Sequence, residues 1–505
     1  MLASKRSSQE SRSPHSTQPP KSSGLFPLTY AEGFSQWWAS VPAATAEHRV
    51  LSLIPFLQEA PTHTKIATSS PSSAHPTPSV NEDNSRSAAP VTTDSEDPYG
   101  PRRWSSNLVK LSGKNRYLNE FSVERVGEEV EEILVLVHGY GAGLGFFYKN
   151  FECLSRPHGW KLYALDMLGM GRSSRPTFKI HAKDPKGKVT EAENWFIDAL
   201  EEWRIERNID KFTLLGHSLG GYMAVAYALK YPGHLKKLIL ASPVGIPEDP
   251  YAVNAEMPRP EEVEADAAEL ESEFLQHEGE EVPTEDNNNF MNARSKKEKK
   301  SDKKTGPPRR PYSRLLTFLW DANVSPFSLV RWTGPLGPRL VSGWSSRRFA
   351  HLPTNEARDL HTYVYSLFSL RGSGEYVLPY VLAPGAFARS PLIRRVHLIG
   401  RQWMKGPNPE QRVRESGLPV VFMYGSHDWM DVNGGYAAEK RMNEEREKVL
   451  ASASEEERRK DCGSTKVVVV DKAGHHLYLD APDTFNKIML EEMADVQRRG
   501  QQAQA

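Results

Sequence analysis

Apolar and polar positions along this chain follow two different periods. Short aliphatic or β-branched runs at residues 133–137, 161–166, 212–215, 235–241, 418–424 and 466–470 predict strands. Between them, residues 146–155, 191–207, 219–231, 435–451 and 482–497 place apolar side chains at helical spacing. Trp195, Phe196, Leu200 and Trp203 mark one such face. An alternating pattern around residues 104–124 predicts one or two edge strands. Strand and helix follow each other in turn. The expected fold is therefore α/β, with a mostly parallel central sheet flanked by helices.

Interruptions of that pattern divide the chain. Residues 1–24 read as a disordered tail, and residues 59–99 as a Ser/Thr/Pro-rich disordered linker. The first part of the core spans 100–249 and the second 401–497, with a short disordered tail at 498–505. Residues 250–311 form a charged, solvated insertion, acidic at first and then basic with Lys296, Lys297, Lys299, Lys300, Lys303 and Lys304. Residues 312–400 are aromatic-rich and partly helical, with Trp320, Trp332 and Trp344. Lying between two sheet strands, they are expected to form a helical cap over the site, and an apolar cap suits a bulky acyl substrate. Residues 25–58 gather Phe26, Phe34, Trp37 and Trp38, then Ala43, Ala46, Val50, Leu51 and Ile54 at helical spacing. Two readings stay open for this segment: an interfacial anchor, because tryptophan favours the lipid headgroup level, and a helix packed on the body.

Charge and cysteine content narrow the class. The 64 Lys+Arg balance the 64 Asp+Glu, so no net field points to nucleic acid. The two cysteines, Cys153 and Cys462, are too few for a disulfide framework. No apolar run approaches the roughly 20 residues of a membrane-spanning helix, so membrane contact is expected to be peripheral. Lys5, Arg6, Arg12 and Lys21 against Glu10 give the tail some likeness to a mitochondrial presequence, although Pro14, Pro19 and Pro20 oppose the amphipathic helix one needs.

The candidate chemistry sits where strands end. Gly216-His217-Ser218-Leu219-Gly220 joins a strand to a helix and has the form of a nucleophile elbow, in which a serine is exposed on a sharp turn. His138-Gly139-Tyr140-Gly141 follows another strand and matches an oxyanion-hole loop. The expected oxyanion donors are the backbone amides of Tyr140 and Leu219, each such donor contributing about 3 kcal/mol of barrier lowering. After residues 418–424 come Asp428 and, a helical turn later, Asp431; Asp428 is the expected acid. After the last strand, Gly474-His475-His476 supplies the expected base at His475, with His476 as the fallback. His427 reads as a surface residue, and Asp166 and Arg172 as turn and packing residues. His475 and Asp480 form an H-x4-D, a spacing linked with acyltransferases that carries little weight alone, and Asp480 is expected to cap the final helix.

These marks together resemble the α/β-hydrolase subfamily that contains the lipid-droplet lipase co-activator of animals and the fungal mitochondrial cardiolipin-specific phospholipase. The shared stretches are the glycine-rich loop 138–145, residues 166–176, the elbow, residues 424–431 and the Gly474-His475 to Asp480 ending. The likeness covers about residues 104–260 and 312–495, plus the segment around Trp37. It implies an α/β-hydrolase fold and a Ser218-His475-Asp428 triad acting on phospholipid or lysophospholipid at a membrane or lipid-droplet surface. It implies either deacylation, with cardiolipin among the substrates, or acylation of lysophosphatidic acid, with acyl-CoA as a candidate donor. No metal or organic cofactor is implied. The location it suggests is the mitochondrion, peripheral to the inner membrane, or else the cytosol and lipid droplet. A rival reading is a non-catalytic scaffold that recruits a separate lipase; Ser218, kept with a candidate base and acid, speaks against it.

Overall fold

The computed structural model describes residues 26–57, 60–61, 66–67, 97–249, 314–405 and 412–504. The tail 1–24, most of the linker 59–99 and the insertion 250–311 lie outside the described residues.

Nine strands among the described residues form one sheet. They are β1 (Ile66–Ala67), β2 (Arg102–Lys110), β3 (Tyr117–Arg125), β4 (Glu132–Val137), β5 (Trp160–Leu165), β6 (Phe212–His217), β7 (Leu235–Ala241), β8 (Pro419–Gly425) and β9 (Ser464–Val470). Their spatial order is β1-β2-β3-β5-β4-β6-β7-β8-β9. From β5 to β9 every pairing is parallel, while β3 runs antiparallel to both β2 and β5. Every residue of β6 and β8 is buried, as a parallel strand covered on both faces requires. Their sequences are accordingly mostly apolar, with Thr213 and His217 the polar residues of β6.

The pair β2 and β3 departs from the edge position expected of residues 104–124. β3 lies inside the sheet, between β2 and β5. Trp104 and Phe121 share a core cluster with Val50 and Leu51 of the N-terminal segment, which closes over them. That segment holds two helices, α1 (Tyr30–Ala39) and α2 (Ala43–Leu51). The body also begins earlier than expected: Asp97 is buried and pairs with Arg102 at 2.7 Å.

Helices α3 (Tyr148–Leu154), α4 (Pro185–Glu206) and α5 (Leu219–Lys230) flank the first part of the sheet. Between β7 and β8 comes the cap, with α6 (Arg314–Asp321), α7 (Pro326–Trp332), α8 (Gly337–Arg348) and α9 (Thr354–Ser369). The chain closes with α10 (Val432–Ser452) and α11 (Pro482–Gln504). The disordered tail expected at 498–505 is corrected for 498–504, which continue α11. Arg498 and Arg499 bond Asp495 one turn back, and Arg499 also donates to the Cys462 carbonyl, so the last turns are tied to the body.

Candidate active site

In a parallel sheet the carboxyl ends of the strands lie on one edge, and the loops leaving that edge meet in a common crevice. Ser218 leaves β6, Asp428 leaves β8, His475 follows β9 and Tyr140 follows β4. Residues more than 250 positions apart therefore converge.

The elbow turn is tight. Ser218 has φ 53° and ψ −114°, a conformation rare for a non-glycine residue and consistent with strain held by its surroundings. Its amide donates to the Ala241 carbonyl at 2.9 Å, and its carbonyl accepts from Tyr222 and Val244. Glycine is required beside it. A Cβ on Gly220 would lie 2.5 Å from the His138 carbonyl oxygen, and one on Gly139 would lie 2.8 Å from the His217 ring and 3.0 Å from the Ser218 Cβ. These contacts explain why the two loops can approach so closely.

His475 Nε2 lies 3.0 Å from Ser218 Oγ, and His475 Nδ1 lies 3.0 Å from Asp428 Oδ1. A carboxylate can only accept, so Nδ1 carries the proton and donates to Asp428. Nε2 is then the acceptor for the serine hydroxyl. Asp428 Oδ1 also accepts from the Met430 amide at 3.0 Å, which fixes the carboxylate. The Trp429 ring stands 4.9 Å from the His475 ring and shelters it. The amides of Tyr140 and Leu219 engage no other acceptor among the described residues, as donors reserved for a transient oxyanion would.

The alternatives fall elsewhere. Asp431 caps α10, accepting from the Asn433 amide at 2.9 Å. His476 forms no bond to Ser218. Its ring packs against Phe146 and His217, and desolvation first, then the Arg348 charge, holds its pKa well below normal. His217 is likewise kept neutral by burial, and its Nε2 donates to the His475 carbonyl, 2.9 Å away. His427 is exposed. Asp480 does not cap the final helix as expected, because both its oxygens are occupied by Gly474 and Arg348.

Support for the oxyanion loop comes from a buried polar network. His138 Nδ1 donates to the Gly139 carbonyl, and its Nε2 accepts from the Met167 amide. Asp166 accepts from the amides of Leu144 and Arg172, both at 2.7 Å, and from Asn119. Glu47 of α2 closes the network: it pairs with Arg172 at 2.5 Å, accepts from Asn119 at 3.0 Å and from Tyr363 of the cap at 3.3 Å. Burial drives the Glu47 carboxyl up to about 7 despite Arg172. The one sequence signal for Glu47 was a carboxylate on an otherwise apolar helical face. Above the loop, the cap residue Phe327 stacks on Tyr140 at 4.9 Å and on Phe368 at 4.0 Å. A distinct surface groove of about 500 Å³, lined by His397 and the charged side of α10, contains none of the residues described above.

Residues 132–482 match the alpha/beta hydrolase fold family. The chain belongs to that family. Among its relatives, a 1-acylglycerol-3-phosphate O-acyltransferase of Arabidopsis thaliana is 32% identical over 406 residues, covering 79% of this chain and 74% of that protein. A (Lyso)-N-acylphosphatidylethanolamine lipase of Homo sapiens is 28% identical over 72% of this chain and 79% of its own length. The 1-acylglycerol-3-phosphate O-acyltransferase ABHD5 of Mus musculus is 28% identical over 77% of this chain and 84% of its own. The resemblance seen in the motifs is thus met by relatives named both as acyltransferases and as lipases.

Proposed function

We propose that this chain is a serine enzyme of lipid acyl chemistry that deacylates glycerophospholipids through an acyl-enzyme. One observation carries this reading: the unbroken chain from Ser218 Oγ through His475 to Asp428, beside two unengaged amides. Ser218 Oγ attacks the acyl carbonyl carbon while His475 Nε2 takes the hydroxyl proton. Asp428 holds the imidazole and stabilises the imidazolium without taking its proton. The carbonyl electron pair moves onto oxygen and is held by the Tyr140 and Leu219 amides. Collapse breaks the ester C–O bond, and the leaving alcohol, a lysophospholipid, takes the proton from Nε2. Water then attacks the acyl-serine, with His475 again as base, releasing a fatty acid and restoring Ser218.

A second reading, acyl transfer to lysophosphatidic acid, is favoured by the acyltransferase relatives. It uses the same acyl-serine, loaded from an acyl-CoA thioester and discharged to a lipid hydroxyl. A membrane or lipid-droplet surface fits the exposed aromatics of α1, and cardiolipin at the mitochondrial inner membrane is the proposed setting. Purified protein on mixed phospholipid vesicles, with and without acyl-CoA, tests all of this by lipidomics. Lysolipid and free fatty acid at equal yield support hydrolysis, and phosphatidic acid formed only with acyl-CoA supports transfer. A fluorophosphonate probe should label wild type and not Ser218→Ala. Equal labelling of the two would sink the serine mechanism and favour the scaffold.

A further inference from the structure

The H-x4-D spacing has a geometric meaning that its sequence form does not reveal. Asp480 Oδ2 accepts the Gly474 amide at 3.0 Å, and Gly474 immediately precedes His475. Asp480 Oδ1 accepts from Arg348 Nη1 at 2.9 Å, and His351 Nε2 lies 3.6 Å from the same oxygen. The carboxylate therefore spans its own loop: it folds residues 474–480 back on themselves, and the other oxygen holds a group from another part of the fold. Arg348 is the last residue of α8, in the cap, and its side chain is 4% exposed. Neither oxygen of Asp480 is directed at Ser218, so the residue does not act on the reacting atoms.

The far end of α8 leads to the surface. Leu336 and Leu340 there are exposed. Helix α1 lies across this end: the Arg339 guanidinium sits 4.2 Å from the Tyr30 ring centroid and Arg339 donates to the Leu28 carbonyl, while the Leu28 amide donates to Ser342. One cap helix thus connects the aromatic N-terminal helix to the loop bearing His475.

We propose that Arg348 and Asp480 are a positioning pair, a latch through which the cap fixes the loop of the candidate general base. The proposal rests on the reading of Ser218 and His475 given above. Buried in a region of low dielectric, the pair holds the Gly474 amide in place, and with it the aim of the His475 ring. Loss of either partner releases the loop while leaving Ser218 and its amides unchanged.

The test uses the full chain with Arg348→Met, Arg348→Lys and Asp480→Asn. Hydrogen exchange is read at residues 471–480, with β6 and β8 as the internal control. In parallel, kcat and KM are measured on a short-chain soluble ester. The expected result is about tenfold faster exchange confined to residues 471–480, a kcat lower by about tenfold at a KM within twofold, and recovery of most of the kcat in Arg348→Lys. Unchanged exchange in residues 471–480 overturns the latch. So does faster exchange with unchanged kcat, and so does exchange that rises equally in β6 and β8, which would make the pair a general stability element. A wild type that turns over no ester and takes no fluorophosphonate overturns the serine mechanism instead, and the exchange pattern then decides the latch alone.

Discussion

Helix α1 exposes Tyr30, Phe34 and Trp38, the last 74% exposed, and buries only Gly33. Helix α2 begins just after it, at Ala43, and buries Ala46, Glu47, Val50 and Leu51. The two readings left open for this segment thus divide between its helices: the aromatic-rich α1 lies on the outside, and α2, with its buried carboxylate, packs on the body. α1 is held less by burial than by local bonds. Thr29 accepts from the Glu32 amide and Glu32 accepts from the Thr29 amide, a full capping box. Its attachment to the cap is mostly polar, through Gln36 to His361 at 2.9 Å and through Arg339. α2 instead completes the core around Trp104 and Phe121 and places Glu47 in the network behind the oxyanion loop. The contrast shows that one short segment can serve two ends: α2 as part of the body, α1 as a surface that the body carries.

Substitutions can break this contrast, and the largest effect should fall on α2. Leu51→Ala removes a fully buried side chain and should lower unfolding stability by about 2–5 kcal/mol, read by urea denaturation. The next effect is a pH dependence. The Glu47 carboxyl titrates near 7 in the folded chain against 4.5 in the reference state. The folded state thus binds the proton more tightly, so this contribution is fully present below pH 4.5 and is lost as pH rises through 7. Its size is about 3 kcal/mol. Glu47→Gln should abolish that fall, and a variant whose stability keeps the wild-type slope between pH 4.5 and 7 would contradict it.

α1 should respond in the opposite direction. Burial lowers the His361 pKa to about 4. The unfolded or undocked state therefore binds the proton more tightly, and this contribution is present above about 6.5 and is lost as pH falls through 4. The protection factors of residues 30–39 in hydrogen exchange, taken relative to the intrinsic rate at each pH, should fall on acidification from pH 7 to 4, and His361→Gln should remove that dependence. Protection of α1 that does not change over this range would separate the helix from His361. The smallest stability effect is expected for Trp38→Ala, within about 0.5 kcal/mol. Its affinity for anionic phospholipid vesicles should nevertheless fall by about tenfold, measured by flotation. Equal vesicle binding by the variant would remove α1 from the membrane surface.

The strand ends were legible because parallel strands write continuous apolar runs, and glycines mark the turns that follow them. Ser218 was readable for the same reason, as a polar residue between glycines at such an end. Glu47 and Arg348 were not readable as parts of the site. Each is one of several charged residues in its helix, and its partner lies far along the chain: Glu47 with Arg172, and Arg348 with Asp480. Trp429 was equally hidden, since its only signal is its contact with His475.

By itself the sequence determined the α/β alternation, the strand-to-helix turn at Ser218, the order of the candidate serine, acid and base along the chain, and the position of the helical insertion between β7 and β8. These follow from periodicity and backbone stereochemistry, which act over a few residues at a time. Tertiary structure brought His475 rather than His476 into hydrogen-bond reach of Ser218, and Asp428 rather than Asp431 into reach of His475, as their positions in the sequence led one to expect, and it alone decided between burial and exposure for the two N-terminal helices. Those choices depend on which side chain meets which across hundreds of residues. Hydrogen bonds and desolvation are settled at distances of about 3 Å, a scale that spacing along the chain cannot express.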